Sequence, residues 1–422
     1  MSKIAGSGDR TSSQGAGRGG SRRRLRIAQS TVDLRVAHLC KAFSKRSETF
    51  IYDYVTELER QGVDNHVVAH QRVNQSERPF EKVTVVPWPS VWNPRRIGHR
   101  VLEVLGLDGG LSTSWREWWS GAETALSRIE PDVLHAHFGR PAVKAISIAE
   151  TLGRPLVVTF YGYDISQLPR KERWRRAYQT LWRAAEAIIV LSEDMKRQAV
   201  RLGAPPEDVH VVHLARDLSD FSYRPPQEAV SDWISVGRLT EKKGHLDAIR
   251  AVQKEADREG GLRLRIVGDG PQRGDLEQYI RAEDLEDTVE LLGSRPNAEV
   301  ARLLRDADAF LLCSKTAASG DREGTPTVLI EAQAVGLPCV STPHAGIPEM
   351  IPGTNHRFLA PEGDVDAIAE CIRQVRACSE AERRRVAEAG REMVETSFSL
   401  EREAQKLQSL YRSVCEDASV PK

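Results

Sequence analysis

From Leu34 onward the chain alternates short apolar segments with amphipathic ones, and it does so in two runs. "LRVAHLC", "NHVVAH", "DVLHAHF", "PLVVTFYG" and the start of "AIIVLSEDMKRQAVRLG" read as strands; "ETFIYDYVTELERQG" and "PAVKAISIAETLG" between them carry a helical period. Strand, helix, strand at this spacing predicts a parallel sheet covered on both faces, because a parallel connection must cross over and its helix buries the face it crosses. Over residues 217–232, "DLSDFSYRPPQEAVSD", the pattern lapses into Pro, Asp and Ser, the composition of a linker. It restarts with "WISVGRL", "LRLRIVGDG", "VELLG", "AFLLC" and "PCVSTP", each followed by a helical stretch. The closing segment "EREAQKLQSLYRSVCE" is helical by its Leu and Tyr spacing and is expected to pack across the junction. The expected fold is therefore α/β, two Rossmann-like domains with a parallel sheet each.

Composition excludes other classes. With 422 residues, 40% hydrophobic and 28% charged, the chain is neither collagenous, nor a coiled coil, nor wholly disordered, and it has no run of about 18 apolar residues to span a bilayer. Residues 1–26, rich in Gly, Ser and Arg, hold too little apolar surface to offset chain entropy and are expected to be a disordered basic tail. Domain boundaries are then expected at 27–222 and 223–392, with 393–422 as a C-terminal helix returning to the first domain. Cys40, Cys313, Cys339, Cys371, Cys378 and Cys415 are scattered without the close pairs of structural zinc, and no secretory signal precedes them; a reducing cytoplasm and no disulfides are expected. Formal net charge is zero, yet basic residues are concentrated before the linker and acidic ones after it. The basic half suits solvated surface, nucleic acid, anionic lipid or a phosphorylated substrate. No nucleic-acid-binding module is recognisable.

In parallel sheets ligands sit beyond the carboxyl ends of the strands, where helix N-termini present unpaired N–H groups. The richest such turn is "EGTPTVLIEA". Gly324 and Thr325 follow Glu323, Gly324 allows close backbone approach, Pro326 suits a first helical turn, and the N–H groups near Thr327 and Val328 are free for a phosphate or sugar hydroxyl. Glu323 and Glu331, both near the positive end of one helix, either serve as charge partners of that helix or accept hydrogen bonds from sugar hydroxyls. A second turn, "SVGRLTEKKGHLDAI", gathers Gly237, Arg238, Lys242, Lys243 and Gly244 before a helix. Arg238 and Lys243 either are solvated or neutralise a diphosphate leaving group. "IVGDGP", Gly268 to Pro271, is either an ordinary strand-end turn or a close approach to a nucleotide.

Taken together, GRL-x-x-KKG, "IVGDGP" and E-x7-E in this order resemble the retaining glycosyltransferases of family 4, whose architecture is GT-B, two facing Rossmann-like domains. "SKRSETFIYDYV", "HAHFGRPA" and "TFYGYDIS" look like the exopolysaccharide branch that includes colanic-acid-type transferases. The resemblance implies an N-terminal acceptor domain and a C-terminal domain for a nucleotide sugar, UDP- or GDP-linked. It implies that Arg238 and Lys243 hold the donor diphosphate, Glu323 touches the donor sugar, Glu331 binds ribose hydroxyls and His137 lies near the reacting centre. Read from the residues alone, His135 and His137 share one face at period two and are either satisfied strand-end residues or cleft residues.

Such a mechanism stabilises charge on the leaving diphosphate, and the departing phosphate itself takes the acceptor's proton. No cofactor is expected, and no metal, since two cations and a helix dipole replace a divalent ion. A covalent role for Glu323 is the weaker alternative. Competing functions are a non-catalytic glycan-binding or scaffold protein and a GT-B-like epimerase or phosphorylase.

Tyr161 stands where the family usually has His, which leaves the sugar preference open. Ser47, Glu48 and Thr49 form an N-terminal capping pattern that is either only a cap or part of the acceptor site. Finally, residues 170–183 form a basic helix with Trp174, Tyr178 and Trp182 on one stripe, read either as core or as a surface for anionic lipid, with "VWNPRRIGHR" and "SWREWW" adding Trp and Arg. The expectation is a cytoplasmic enzyme, peripheral at the inner membrane face, acting on a glycan or polyprenyl-linked acceptor.

Overall fold

The computed structural model describes residues 34–45, 48–87, 113–227 and 229–418, without the side chains of 113–120 and 418. The tail 1–26, Ser47 and "VWNPRRIGHR" lie outside the described residues. The first sheet is built from β1 (Arg35–Phe43), β2 (Asp64–Arg72), β3 (Val83–Val85), β4 (Val133–His137), β5 (Leu156–Thr159), β6 (Ala187–Val190) and β7 (Val209–Val211). All its pairings are parallel, in the order β3-β2-β1-β4-β5-β6-β7. The second is built from β8 (Asp232–Val236), β9 (Arg263–Val267), β10 (Val289–Gly293), β11 (Ala309–Leu312) and β12 (Cys339–Ser341), again parallel, in the order β10-β9-β8-β11-β12. In each sheet the order reverses beside the first strand, between β1 and β4 and between β8 and β11. Every residue of β4, β5, β6 and β11 is buried, as strands covered on both faces must be.

Among the elements not legible as periodic patterns are the helices Thr113–Ile129 and Glu380–Ser397 and the three-residue strands β3 and β7. The Glu380–Ser397 helix is opened by a capping box, Ser379 with Glu382, that its charge-rich sequence obscures. The last helix, Leu400–Ala418, packs on the Thr49–Arg60 helix, and its Leu400, Ala404, Leu407, Tyr411 and Val414 belong to the apolar core of the first sheet. Among the described residues, no helix is long and apolar enough to cross a membrane.

The structure bears on two readings that the sequence left open. The aromatic stripe of residues 170–183 does not face outward: in the Glu172–Ala184 helix, Tyr178 is 1% and Trp182 3% exposed. Both rings pack on Phe160, and the Tyr178 hydroxyl donates to Asp164 O at 2.6 Å. The stripe is core because it is the apolar face of a helix laid on a sheet, with Trp174 half-buried at its start; the flanking basic residues, Arg170, Lys171, Arg173, Arg175, Arg176 and Arg183, are exposed. Secondly, Glu48 and Thr49 do not cap the Thr49–Arg60 helix. Glu48 occupies the N-cap without a side-chain cap bond and pairs instead with Lys45 at 2.9 Å.

Trp182→Ala should therefore cost about 3–5 kcal/mol in urea unfolding, as loss of a buried aromatic does, whereas a lipid-facing Trp would change stability by less than about 0.5 kcal/mol.

Candidate active site

Both order reversals mark places where strand carboxyl ends open a crevice, and chemistry-bearing residues gather at both. In the second sheet, the loop after β8 is locked to the loop after β9: Gly237 N–H donates to Val267 O (2.9 Å) and Leu239 N–H to Asp269 O (3.0 Å). A Cβ on Gly268 would lie 1.9 Å from Gly237 O, so the glycine of "IVGDGP" serves this backbone contact. A 3-10 turn over Glu241–Lys243 then sets two lysines side by side, and Gly244 (φ 66°) passes so close to Cys313 O that a Cβ would meet it at 1.8 Å.

Both ammonium groups converge on Glu323. Lys243 Nζ lies 3.2 Å from Oε2 and Lys242 Nζ 3.6 Å from Oε1, while Lys242 also reaches Asp321 at 3.3 Å and Arg322 O at 3.2 Å. Burial alone would raise the Glu323 carboxyl, but Lys243 and then Lys242 outweigh it and hold it at about 2. The Glu323 N–H donates to His344 Nε2 (3.1 Å), which assigns the other ring proton to Nδ1, facing Glu362 Oε1 at 2.7 Å. Glu323 Oε1 and the nearby Thr325 Oγ1 are buried without a hydrogen-bond partner. Such atoms suit a ligand rich in hydroxyl groups.

The Thr327–Ala334 helix starts here at Pro326 with no side-chain cap, so its first N–H groups are left for a ligand. Gly324 is shaped by the other half of the molecule, since a Cβ on it would lie 2.8 Å from Tyr161 O. Arg238 is exposed, and its carbonyl accepts from His245 Nε2 at 3.3 Å. Sequence reasoning undervalued Lys242, although the doubled lysine was visible.

Glu331, one turn into the helix, is held by a cation from outside its own sheet. Its Oε1 lies 2.9 Å from Arg216 Nε, and Arg216 also holds Asp53 of the Thr49–Arg60 helix at 2.9 Å and Thr49 Oγ1 at 3.3 Å. Burial pushes the Glu331 carboxyl up, against the pull of Arg216. Arg216 sits where the chain passes between the sheets and is pinned there by the returning segment: its N–H donates to Phe398 O, and Leu400 N–H donates to its carbonyl. No sequence signal marked it: it stands directly before the stretch that reads as linker and outside any motif.

In the first sheet, His38 pairs in register with His135 across β1 and β4, and His137 follows two residues on. All three are buried, at 1%, 1% and 2% exposure. Burial lowers all three imidazoles, His38 to about 4. His137 Nδ1 meets the Tyr161 hydroxyl at 2.6 Å and its Nε2 meets His38 Nδ1 at 3.1 Å; His38 Nε2 meets Asn65 Oδ1 at 2.9 Å. His135 is bonded to Thr159 Oγ1 (2.7 Å) and to Tyr411 Oη of the last helix (2.6 Å). The three rings offer nitrogens within 4.8 Å of one another, a spacing that could hold a metal, but each nitrogen already has a hydrogen-bond partner.

Tyr161 is the partly exposed member of the group, stacked on Phe50 and lying against Phe138, both at 4.5 Å between ring centroids. Its turn is set by Asp164, fully buried, whose carboxylate accepts from Tyr161, Gly162 and Gly139 N–H at 2.9, 3.0 and 3.1 Å. A Cβ on Gly162 would approach Gly324 N to 3.1 Å, so the two half-sites meet at these glycines. Glu349, accepting from the N–H groups of Glu193 and Asp194 at 2.8 and 3.1 Å, and Arg322, 3.2 Å from Asp194, hold the halves together alongside.

The paired parallel sheets and the facing half-sites define a GT-B glycosyltransferase. Residues 47–220 match Glycosyltransferase Family 4 and residues 225–393 match Glycosyl transferases group 1. The chain is 36% identical over 287 residues to the putative colanic acid biosynthesis glycosyltransferase WcaL of Escherichia coli (strain K12), which spans 67% of this chain and 71% of that one. It is 37% identical over 272 residues to the amylovoran biosynthesis glycosyltransferase AmsK of Erwinia amylovora, spanning 64% and 67%. The crystal structure of Anabaena HepE in complex with UDP shares the fold, with a TM-score of 0.70, 19% identity and coverage of 90% of this chain and 100% of that one. The protein belongs to glycosyltransferase family 4.

Arg216→Met should destabilise the chain by about 3–5 kcal/mol in denaturant unfolding, because Asp53 and Glu331 are left buried without their cation. Adding Glu331→Gln to that variant should recover part of the loss.

Proposed function

We propose that this glycosyltransferase takes its sugar from a nucleoside diphosphate sugar, UDP- or GDP-linked, and passes it with retention to a glycan or polyprenyl-linked acceptor in exopolysaccharide assembly. The observation that carries the reading is the junction of Lys242, Lys243 and Glu323 with the uncapped start of the Thr327–Ala334 helix. The colanic acid and amylovoran biosynthesis roles named for the relatives support the pathway, and a UDP complex on the same fold supports the donor.

In this reading the diphosphate lies over the N–H groups of Thr327 and Val328, with Lys243, Lys242 and Arg238 around it. Gly237 and Gly324 allow the close approach, and Thr325 with Pro326 completes the turn. The orphan Oε1 of Glu323 accepts from a hydroxyl of the donor sugar, and Glu331, oriented by Arg216, accepts from the ribose. As the bond from the anomeric carbon to the diphosphate oxygen breaks, the growing negative charge meets cations already fixed in place, which is where preorganisation lowers a barrier. The acceptor oxygen forms its bond to the same carbon, and its proton passes to the departing phosphate. No divalent ion is required by this charge balance. Glu323 is salt-bridged to two lysines and points at the leaving group's side, which makes it a sugar-positioning carboxylate rather than a nucleophile. His137 acts on the site through Tyr161. Polyprenyl-linked acceptors lie at the cytoplasmic face of the membrane, where the exposed Lys171, Arg173, Arg175 and Arg176 would meet anionic lipid by charge alone.

The test is nucleotide release from a panel of UDP- and GDP-sugars, with and without a lipid-linked acceptor pool. Lys243→Ala and Glu323→Gln should each lower turnover on the active donor by roughly 100-fold or more while circular dichroism stays unchanged. Turnover should also withstand EDTA. Nucleotide binding without release from any donor would instead favour a scaffold, and unchanged turnover in the variants would overturn the assignment of the site.

A further inference from the structure

We propose that Asn65 and His38 are positioning residues that fix the proton of Tyr161, so that its hydroxyl donates inward to His137 and offers only acceptor lone pairs to the substrate. The inference deepens the transfer reading above and rests on it for the identity of the substrate, not for the direction of the hydrogen bonds. That direction follows from donor and acceptor accounting alone.

The accounting starts at two backbone carbonyls. The Asn65 amide nitrogen donates to Val63 O at 2.9 Å and to Val55 O at 3.4 Å, and carbonyls can only accept, so the orientation of the amide is set. Its Oδ1 therefore faces His38 Nε2 at 2.9 Å, and because Oδ1 also only accepts, that nitrogen carries the proton. A buried neutral imidazole has one N–H, which leaves His38 Nδ1 bare. At 3.1 Å from it, His137 Nε2 must be the donor, and His137 Nδ1 is bare in turn. The remaining partner, Tyr161 Oη at 2.6 Å, donates its only proton there. Each link forces the next.

His135 reaches this order only through Thr159, which is bonded to His135 Nε2 and also to the Tyr161 hydroxyl; Thr159 can donate to Tyr161 Oη while the tyrosine proton goes to the bare His137 Nδ1, so the order holds. The chain ends at an amide that takes up no proton, so it is a fixed polarity and not a shuttle.

The consequence is selectivity. A tyrosine hydroxyl that is free to rotate serves either a phosphate oxygen as donor or a sugar hydroxyl as acceptor. With its proton spent on His137, Tyr161 favours a partner that brings a proton of its own, a hydroxyl of the donor sugar or of the acceptor, and disfavours an unprotonated phosphate oxygen, which would face lone pairs.

Long-range ring 1H–15N correlation on the 15N-histidine-labelled full chain at neutral pH reads the tautomers without reference to activity. His38 and His137 should both be in the Nε2–H form, and both should remain so in Tyr161→Phe, because the direction is imposed from Asn65. Asn65→Leu should release it, giving mixed tautomers at His38. A wild-type spectrum with either ring in the Nδ1–H form or doubly protonated overturns the proposal, as does stoichiometric zinc on the purified protein with metal-shifted ring nitrogens. In parallel, Tyr161→Phe and Asn65→Leu should lower kcat/KM on the active nucleotide sugar roughly 10-fold and leave the Kd of the free nucleotide, UDP or GDP, within about 2-fold. A free-nucleotide Kd that rises as much as kcat/KM falls would mean that the phenol serves phosphate, and would also overturn it. Absence of turnover in the wild type would fault the transfer reading and leave the tautomer result standing on its own.

Discussion

A buried carboxylate needs its cations, and in this protein that need joins two loops 80 residues apart. Glu323 is enclosed and ionised, which is tenable only because Lys242 and Lys243 reach it from the turn after β8. The lysines can do so because Gly244 and Gly268 let the backbone pass close to Cys313 O and Gly237 O, and because Gly237 leaves room for the Lys243 side chain. Charge pairing, glycine placement and the reversal of strand order between β8 and β11 are thus one arrangement. The uncapped helix beginning at Thr327 adds its N–H groups to the same point. A leaving diphosphate arriving there meets positive charge whose orientation has already been settled by folding.

Most of the fold was legible because its signal is local. Strands such as β4 and β11, buried on both faces, read as continuous apolar runs. What escaped was set by tertiary context. The Glu380–Ser397 helix has an apolar face too narrow to stand out among its charges, and β3 is too short to show a period. In the basic helix Glu172–Ala184, sequence spacing gave the aromatic stripe correctly but not its destination, since core-facing and lipid-facing stripes have the same period.

The candidate site divides in the same way. The turns bearing Lys243 and Glu323 could be found from glycine, proline and charge at strand ends. The partners that orient them could not. Arg216 stands just before an apparent linker, Asn65 lies between Asp64 and His66 with nothing to single it out, Asp164 is one polar residue in a short turn, and Tyr411 is far from all of them in sequence. A polar residue inside a strand, such as His38 in "RVAHLC", is the one hint that was available, because a buried polar group requires a partner somewhere.

The last helix fills a gap in the core of the first sheet, where Tyr411 is fully enclosed against His135. Synthesis runs from the amino end, so the second lobe must be made before the first can close its interior. Until then that lobe exposes apolar surface which only residues from Leu400 onward can cover, and maturation of the first half waits on translation of the second.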